Sequence, residues 1–198
     1  MPYIRRQFMK RMMTLSVIVF AITCAAETET WEIDPNHTTS QFSIRHLGIS
    51  TVRGVFEKTN GTVIYDPVDP TKTQIDAILD ASTVNTRIEK RDNDLRSPNF
   101  FDVAKYPAIT FKSKKTEVEG QGKLKIIGDL TIHGVTKEVV LDVDGPSQPV
   151  SAMGRVRMGA EATTTINRRD FGVNGAPMVA GDEVQIILDV ELKRPATK

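Results

Sequence analysis

Three histidines are the residues of this chain whose side chains are best suited to metal or acid–base chemistry. His37, His46 and His133 lack the i, i+4 spacing of a helical metal site, and the only cysteine, Cys24, lies in the N-terminal segment. The sequence contains no nucleophile elbow and no glycine-rich phosphate loop between a strand and a helix. We therefore expect no metal, no cofactor and no catalytic residue, and we do not expect an enzyme.

Several polar residues have two alternative roles. His46 shares the parity of the apolar residues Phe42 and Ile44, which predicts that its side chain points inward. There it would either bond to a backbone carbonyl or donate to the polar head of a ligand. Arg91 and Asp92 have the same alternatives, because a buried charge needs a partner, and either an ion pair or a head group supplies one. Further partners for this pair are Arg168, Arg169 and Asp170.

The segment that carries Arg91 and Asp92 predicts one short helix in a chain of strands. Thr86 and Glu89 have the spacing of a capping box, and Ser97-Pro98 ends the helix because a residue before proline avoids helical backbone angles. One face should carry the residues at i, i+3, i+4 and i+7, namely Ile88, Arg91, Asp92 and Leu95. Four aromatic residues follow: Phe100, Phe101, Tyr106 and Phe111. We expect this segment to cover one end of the remaining fold.

Alternating apolar and polar residues predict antiparallel strands over most of the chain after residue 73. The clearest examples are residues 123–132 and 183–192. Asn60-Gly61 and His133-Gly134 predict two tight hairpins. We expect roughly eight or nine strands, which can form either a sandwich or a closed barrel. The interior of a barrel of about eight strands is either filled by side chains or holds one small ligand. The apolar inward side chains would suit an apolar ligand.

The first 26 residues predict a cleavable secretory signal peptide, since a basic start precedes an uncharged apolar run that ends in small residues. One alternative is a membrane anchor, but acidic residues begin at Glu27, and the run is short for a spanning helix. The other is a lipid-modified Cys24, but Ala21-Ile22-Thr23 before it is a poor lipoprotein signal. Four of the 26 basic residues and none of the 25 acidic residues precede residue 27, so residues 27–198 have a net charge of −3. This net charge is no electrostatic footprint for nucleic acid or for anionic lipid surfaces. We also expect no stable membrane insertion after cleavage. We expect residues 27–198 to form one exported domain.

Four stretches, in this order, resemble the YceI-like proteins, which are exported lipocalin-like barrels described as polyisoprenoid-binding. The resemblance rests on residues 31–56, 91–111, 128–139 and 168–173 and extends over about residues 31–193. Many members of the family carry a histidine where this chain has Asp94 and a serine near Thr39. The resemblance implies an all-β fold: an extended antiparallel barrel of about eight strands, lipocalin-like, with one short inserted helix capping the barrel.

The resemblance also implies a function and a site. It implies a periplasmic carrier that sequesters a long apolar ligand, a polyisoprenoid, an isoprenoid quinone or a similar lipid, inside the barrel. No catalytic residues are established for the family. Carried over position by position, the ligand-binding residues are Phe42, His46, Phe56, Arg91, Asp92, Leu95, Phe100, Phe101, Tyr106, Phe111 and Phe171.

Two alternatives from other functional classes remain open. An enzyme acting on a bound isoprenoid or quinone would rest on an inward cluster of His46, Arg91 and Asp92. A stress-related protein-interaction module would have another protein as its natural partner. Long exposed strands also leave a homodimer open.

Overall fold

Antiparallel strands make up most of the computed structural model, which describes residues 28–195. The twelve strands are β1 (Glu29–Ile33), β2 (Thr39–His46), β3 (Ser50–Phe56), β4 (Thr59–Tyr65), β5 (Gln74–Asp80), β6 (Val84–Asn85), β7 (Ala108–Gly120), β8 (Lys123–Ile132), β9 (Val135–Asp144), β10 (Val150–Ala152), β11 (Arg155–Asn167) and β12 (Ala180–Pro195). One α-helix, α1 (Glu89–Arg96), lies between β6 and β7. The predicted signal peptide lies outside the described residues.

Eight of the strands form a closed barrel. Their order is β11, β9, β8, β7, β5, β4, β1 and β12, and β12 pairs back onto β11. This closing pair runs from Arg155 opposite Pro195 to Asn167 opposite Glu183. The apolar sides of the strands are therefore hidden inside a barrel rather than between two sheets, and the predicted fold class is confirmed.

The strand β12 is long enough to pair with two different strands, one after the other, along the same edge. Its N-terminal part pairs with β2, and residues Leu192 and Lys193 pair with β1. β3 pairs with β2, and β4 pairs with β1, so β1–β2 and β3–β4 each follow one bent path. As a result β2 and β3 continue the wall of the barrel from β1 and β4 toward one end, and β6 pairs with β3 there.

The two predicted hairpins have different outcomes. His133-Gly134 joins β8 to β9 with Ile132 opposite Val135, and both turn residues have positive φ, as a tight primed turn requires. The hairpin predicted at Asn60-Gly61 is wrong, because both residues lie inside β4 and β3 does not pair with β4. A Cβ on Gly61 would collide with the Asp76 carbonyl oxygen of β5, so the glycine permits close strand approach instead of a turn.

The helix α1 ends before Ser97-Pro98 as predicted, but its start differs. The predicted capping box is absent: the residue before the helix is Ile88, and no side chain caps it. Thr86 instead donates its backbone N–H and its hydroxyl to Asp92, whose carboxylate is buried. Ile88 is exposed, so it does not share the inner face with Leu95. No helix among residues 28–195 has the length and apolar character that crossing a bilayer requires.

The bend between β1 and β2 is held by Asp34, whose side chain is buried. Its carboxylate accepts the Asn36 N–H at 3.1 Å, lies 3.1 Å from Lys193 Nζ and contacts His37 Nδ1 at 3.2 Å. Burial alone would raise the pKa of Asp34, but the hydrogen bonds from Asn36, Lys193 and His37 outweigh it and lower the pKa to about 2. The charged form of Asp34 is therefore favoured by folding.

We expect Asp34→Asn to lower the free energy of unfolding at neutral pH and to have no such effect near pH 2. The pKa of Asp34 in the folded protein lies below its ordinary value of 3.8, so its carboxylate stabilises the folded protein at pH values above 3.8. This contribution disappears as the pH falls through about 2. Urea denaturation of both proteins across this range measures the difference. Glu183→Gln, which changes an exposed carboxylate of β12, is the control. A stability difference that does not change with pH would contradict this account of Asp34.

Candidate functional site

The barrel interior contains an apolar cavity of about 420 Å³. This volume is within the range of small-molecule binding sites, roughly 300–1,000 Å³. Side chains from opposite walls meet around it, including Phe56, Phe111, Ile126, Leu141 and Ile166. On β11 the lining extends from Met158 to Ile166, and eight rises of about 3.3 Å, reduced by strand tilt, give a depth of roughly 20 Å. The cavity is therefore elongated and suited to a chain-like apolar molecule.

The cavity opens at one end of the barrel. Of its lining residues, the exposed ones are Arg45, Asp94, Ala176 and Val179. They lie near the end of β2, on α1 and in the loop before β12, and we call the opening between them the mouth. The lining residues at the opposite end include Tyr65, Thr73 and Pro146, which are buried or half-buried. A ligand would therefore enter past α1 and the loop before β12.

An aromatic wall lies under the helix. The Phe42 and Phe56 rings are 5.7 Å apart, and the Phe101 ring meets Phe56 edge-on at 5.6 Å. Gly54 faces the Phe42 ring so closely that any Cβ there would collide with it, and therefore β3 can carry no side chain at this point. Phe101 and Leu95 are only partly buried, so they present apolar surface to the cavity.

Polar side chains are concentrated at the mouth. Arg45 donates to Thr51 Oγ1 at 2.9 Å and to the Gly48 carbonyl at 2.7 Å, while half-buried His46 ends β2 beside it. Arg91 donates to the hydroxyl of Thr86 at 2.7 Å and to its carbonyl at 2.9 Å. The cavity therefore has two arginines and the carboxylate of Asp94 near its opening and apolar walls below them, which suits a ligand with a polar head and an apolar tail.

The prediction that Arg91 and Asp92 form an ion pair is wrong. The two side chains share Thr86 as a common partner, and no direct ion pair joins them among the described residues. Arg169 does not join them either, because it pairs with Asp182. The helix is thus fixed by hydrogen bonds through Thr86 rather than by an ion-pair cluster.

Arg168 has a role that the sequence did not reveal. Its buried guanidinium donates to four backbone carbonyls, those of Val173, Gly175, Ala180 and Gly181, at 2.7 to 3.1 Å. Burial, and next the charge of Arg169, lower its pKa, while Asp182 opposes that shift. The side chain therefore holds the loop before β12 in place at the mouth. The sequence stretch 168–173 marked this position but contained no signal for its partners.

The predicted ligand-binding residues separate into two groups. Nine of the eleven line the cavity: Phe42, His46, Phe56, Arg91, Leu95, Phe100, Phe101, Phe111 and Phe171. Asp92 is absent from the lining because it turns toward Thr86. Tyr106 is also absent, and its ring packs against His133 with the ring centres 4.6 Å apart. The aliphatic lining residues were not among the eleven, although the period-2 alternation of β8, β9, β11 and β12 predicted apolar side chains facing inward.

A second cluster brings possible metal ligands together at the β1–β2 bend. Ligand atoms of Asp34, His37 and Glu191 lie within 4.8 Å of one another. Lys193 already pairs with Asp34, and Arg157 Nε lies 2.9 Å from Glu191. Because both carboxylates have cationic partners, we interpret this cluster as structural.

Comparisons with known proteins agree with this architecture. The YceI-like domain model matches residues 31–192. A protein named YceI from Salmonella arizonae is 35% identical over 180 residues, which cover 90% of this chain and 93% of that protein. The solved structure of the Campylobacter jejuni YCEI protein has 31% identity and a TM-score of 0.65, and the match covers 78% of this chain and 90% of that one.

A polyisoprenoid-binding domain from Saccharophagus degradans shares the fold at lower identity. Its TM-score is 0.61 at 14% identity, and the match covers 83% of this chain and 98% of that one. The family model and the relative from Salmonella arizonae both extend over most of the chain. With its closed barrel and capping helix, the chain therefore belongs to the YceI-like family.

Proposed function

We propose that this protein is a periplasmic carrier that sequesters the hydrocarbon chain of an isoprenoid or similar lipid inside its barrel. The observation that carries the proposal is the elongated apolar cavity, which is open at the mouth. The Saccharophagus degradans domain of the same fold is a polyisoprenoid-binding domain, which supports an isoprenoid as the ligand class. The predicted signal peptide supports the periplasm as the location.

The energetics of burial favour a long chain over a compact ligand. Each methylene group removed from water contributes up to about 0.8 kcal/mol, so a five-carbon unit contributes up to roughly 4 kcal/mol. Eight such units would exceed the ceiling of about 20 kcal/mol for non-covalent binding, so ordering of the flexible ligand must offset a large part. Affinity then depends mainly on buried length, and the polar groups at the mouth select the head.

The polar head of the ligand would lie near Arg45, His46 and Arg91. Of these, Arg91 lines the cavity while it donates from Nε and Nη2 to Thr86. The enzyme alternative loses one of its three supporting residues, because Asp92 does not line the cavity. We therefore propose binding without catalysis.

Native mass spectrometry of the protein, purified without detergent from a periplasmic extract, tests this function. We expect an adduct at one ligand per chain whose extracted lipid shows isoprenoid mass spacing. Recovery of the protein in that extract tests the location at the same time. A homogeneous ligand-free mass, with no uptake when a polyprenol is offered, would mean that the barrel holds no lipid.

We expect Phe101→Asp to lower lipid occupancy by at least about tenfold, and more than Arg91→Ala does. Phe101 contributes its ring to the aromatic wall, and a carboxylate there would have to be desolvated by the ligand tail. Arg91 lies at the mouth, where solvent can replace a contact to the head. Circular dichroism establishes that each variant is folded. Equal occupancy in a folded Phe101→Asp protein would refute the assignment of this wall to the ligand.

A further inference from the structure

Four exposed apolar side chains lie beside the mouth: Leu47, Ile49, Met178 and Val179. Two belong to the turn between β2 and β3, and two belong to the loop before β12. The Leu47 N–H donates to the Val179 carbonyl at 2.8 Å, so the two segments form one continuous surface. We call these four residues the rim. Ile49 is 78% exposed and Met178 is 90% exposed, so water covers them when the protein is free.

The rim is continuous with the cavity. Val179 belongs to both, and Ala176 of the same loop is an exposed lining residue. Exposed apolar residues also occur at the other end of the barrel, at Val68, Val150 and Met153. No exposed residue lines the cavity at that end, as far as residues 28–195 are concerned. The apolar surface that meets the opening is therefore the rim.

The charge beside the rim differs in sign from the charge of the protein. No acidic residue occurs between Asp34 and Glu57, a stretch that contains Arg45 and Arg53. In the β2–β3 register Arg45 is opposite Thr51, and Arg53 is opposite Ser43, so the two arginines are diagonal neighbours. Neither arginine belongs to an ion pair within the described part of the chain. A local cationic patch thus lies next to the rim of a protein whose residues 27–198 carry a net charge of −3.

We propose that the rim inserts into the surface of an anionic phospholipid bilayer, so that the lipid ligand passes between membrane and barrel without crossing water. This proposal rests on the proposed carrier function, because it describes the route of the same ligand. Apolar side chains that enter the interface, together with arginines near anionic head groups, are the features of reversible membrane attachment. Direct transfer also avoids exposing a long apolar chain, each methylene of which is unfavourable in water.

The charge pattern favours a bilayer over a second copy of this chain. Two rims placed face to face would bring Arg45 and Arg53 of both copies together, and like charges across an interface repel. An anionic bilayer supplies the opposite charge and accepts the apolar tips at the same time.

Flotation with vesicles tests the proposal. Residues 27–198 are suitable, because the solved Saccharophagus degradans domain consists almost entirely of this barrel. We expect the protein to float with vesicles of phosphatidylethanolamine and phosphatidylglycerol and less with phosphatidylcholine. Ile49→Asp and Met178→Asp should each lower the bound fraction by about tenfold, because a carboxylate is unfavourable in the interface. Arg53→Gln should weaken the preference for the anionic vesicles.

Met153→Asp is the matched control, because Met153 is 96% exposed and lies at the opposite end of β11. A thirteen-residue strand places it roughly 40 Å from the mouth. We expect it to float like the original protein. Transfer of a polyprenol between donor and acceptor vesicles should slow about tenfold in Ile49→Asp and not in Met153→Asp.

Uptake of a polyprenol in solution without vesicles separates this proposal from the carrier function. Ile49 and Met178 do not line the cavity, so their variants should take up the polyprenol normally. If the protein takes up polyprenol but does not float with vesicles, or if Ile49→Asp floats as well as the original protein, membrane docking is refuted. The carrier function is then unaffected. A dimer in gel filtration that Ile49→Asp abolishes, without flotation, would assign the rim to a second copy and also overturn it. If flotation depends on the rim but the protein takes up no polyprenol, membrane docking is supported and the proposed lipid ligand is refuted.

Discussion

Ala162→Trp is expected to abolish most ligand binding while the barrel remains folded. Ala162 is buried on β11 and lines the cavity halfway along its length. An indole there would occupy space for about one five-carbon unit, which contributes up to roughly 4 kcal/mol. Affinity should therefore fall several hundredfold, since each 1.4 kcal/mol is about tenfold. Titration with a polyprenol, followed by native mass spectrometry, measures the loss.

The matched control is Glu161→Trp, one residue earlier on the same strand. Glu161 is exposed on the outer face of β11, so the same indole cannot reach the cavity from this position. The free energy of unfolding of ligand-free Ala162→Trp should change by less than about 2 kcal/mol, because the indole fills existing space. If the barrel does not tolerate tryptophan, Ala162→Leu gives a smaller effect in the same direction. Full occupancy in either folded Ala162 variant would show that the ligand lies elsewhere.

Arg168→Met is expected to lower the free energy of unfolding by about 3–5 kcal/mol. The guanidinium satisfies four backbone carbonyls of the segment from Val173 to Gly181, and methionine can replace none of these hydrogen bonds. For a protein of this size the midpoint of thermal unfolding should fall by roughly 10 °C. Calorimetry and urea denaturation measure both values.

Two further variants test whether the carbonyl contacts cause this effect. Arg169→Met removes an exposed ion pair to Asp182 and should cost less than about 1 kcal/mol. Arg168→Lys keeps the charge but cannot reach four carbonyls from a single ammonium group, so it should recover only a small part of the stability. Equal effects of Arg168→Met and Arg169→Met would show that the loop does not depend on the buried guanidinium.

The successful predictions rest on local signals that the tertiary structure reinforced. The alternation in β8 and β12 identified strands because one side of each faces the interior. His133-Gly134 formed its hairpin because the same short turn also connects two strands that pair along their whole length. Ser97-Pro98 ended α1 because proline restricts the residue before it in any context.

The wrong predictions share a different cause. Asn60-Gly61 has the composition of a turn, but β4 pairs with β1 and β5, and these partners keep the chain extended. Thr86 has the spacing of a capping residue, but the buried Asp92 carboxylate needs its hydroxyl. Tyr106 follows the aromatic residues of the cavity in sequence, yet it packs on His133 at the β8–β9 turn. For Asn60-Gly61 and Tyr106 a partner distant in the sequence decided the contact, and for Thr86 it was a buried carboxylate six residues later.

By itself the sequence determined the strands, the single helix and the apolar character of the interior, because side-chain alternation and helix termination are local properties. The four matching stretches also indicated the family. Only the tertiary structure decided that β11 and β12 close the barrel, that Arg168 holds the loop and that the rim lies beside the mouth. The rim joins residues far apart in the chain, and Arg168 bonds to carbonyls 5 to 13 residues away. A pattern of side-chain types along the sequence contains no information about which of these groups meet.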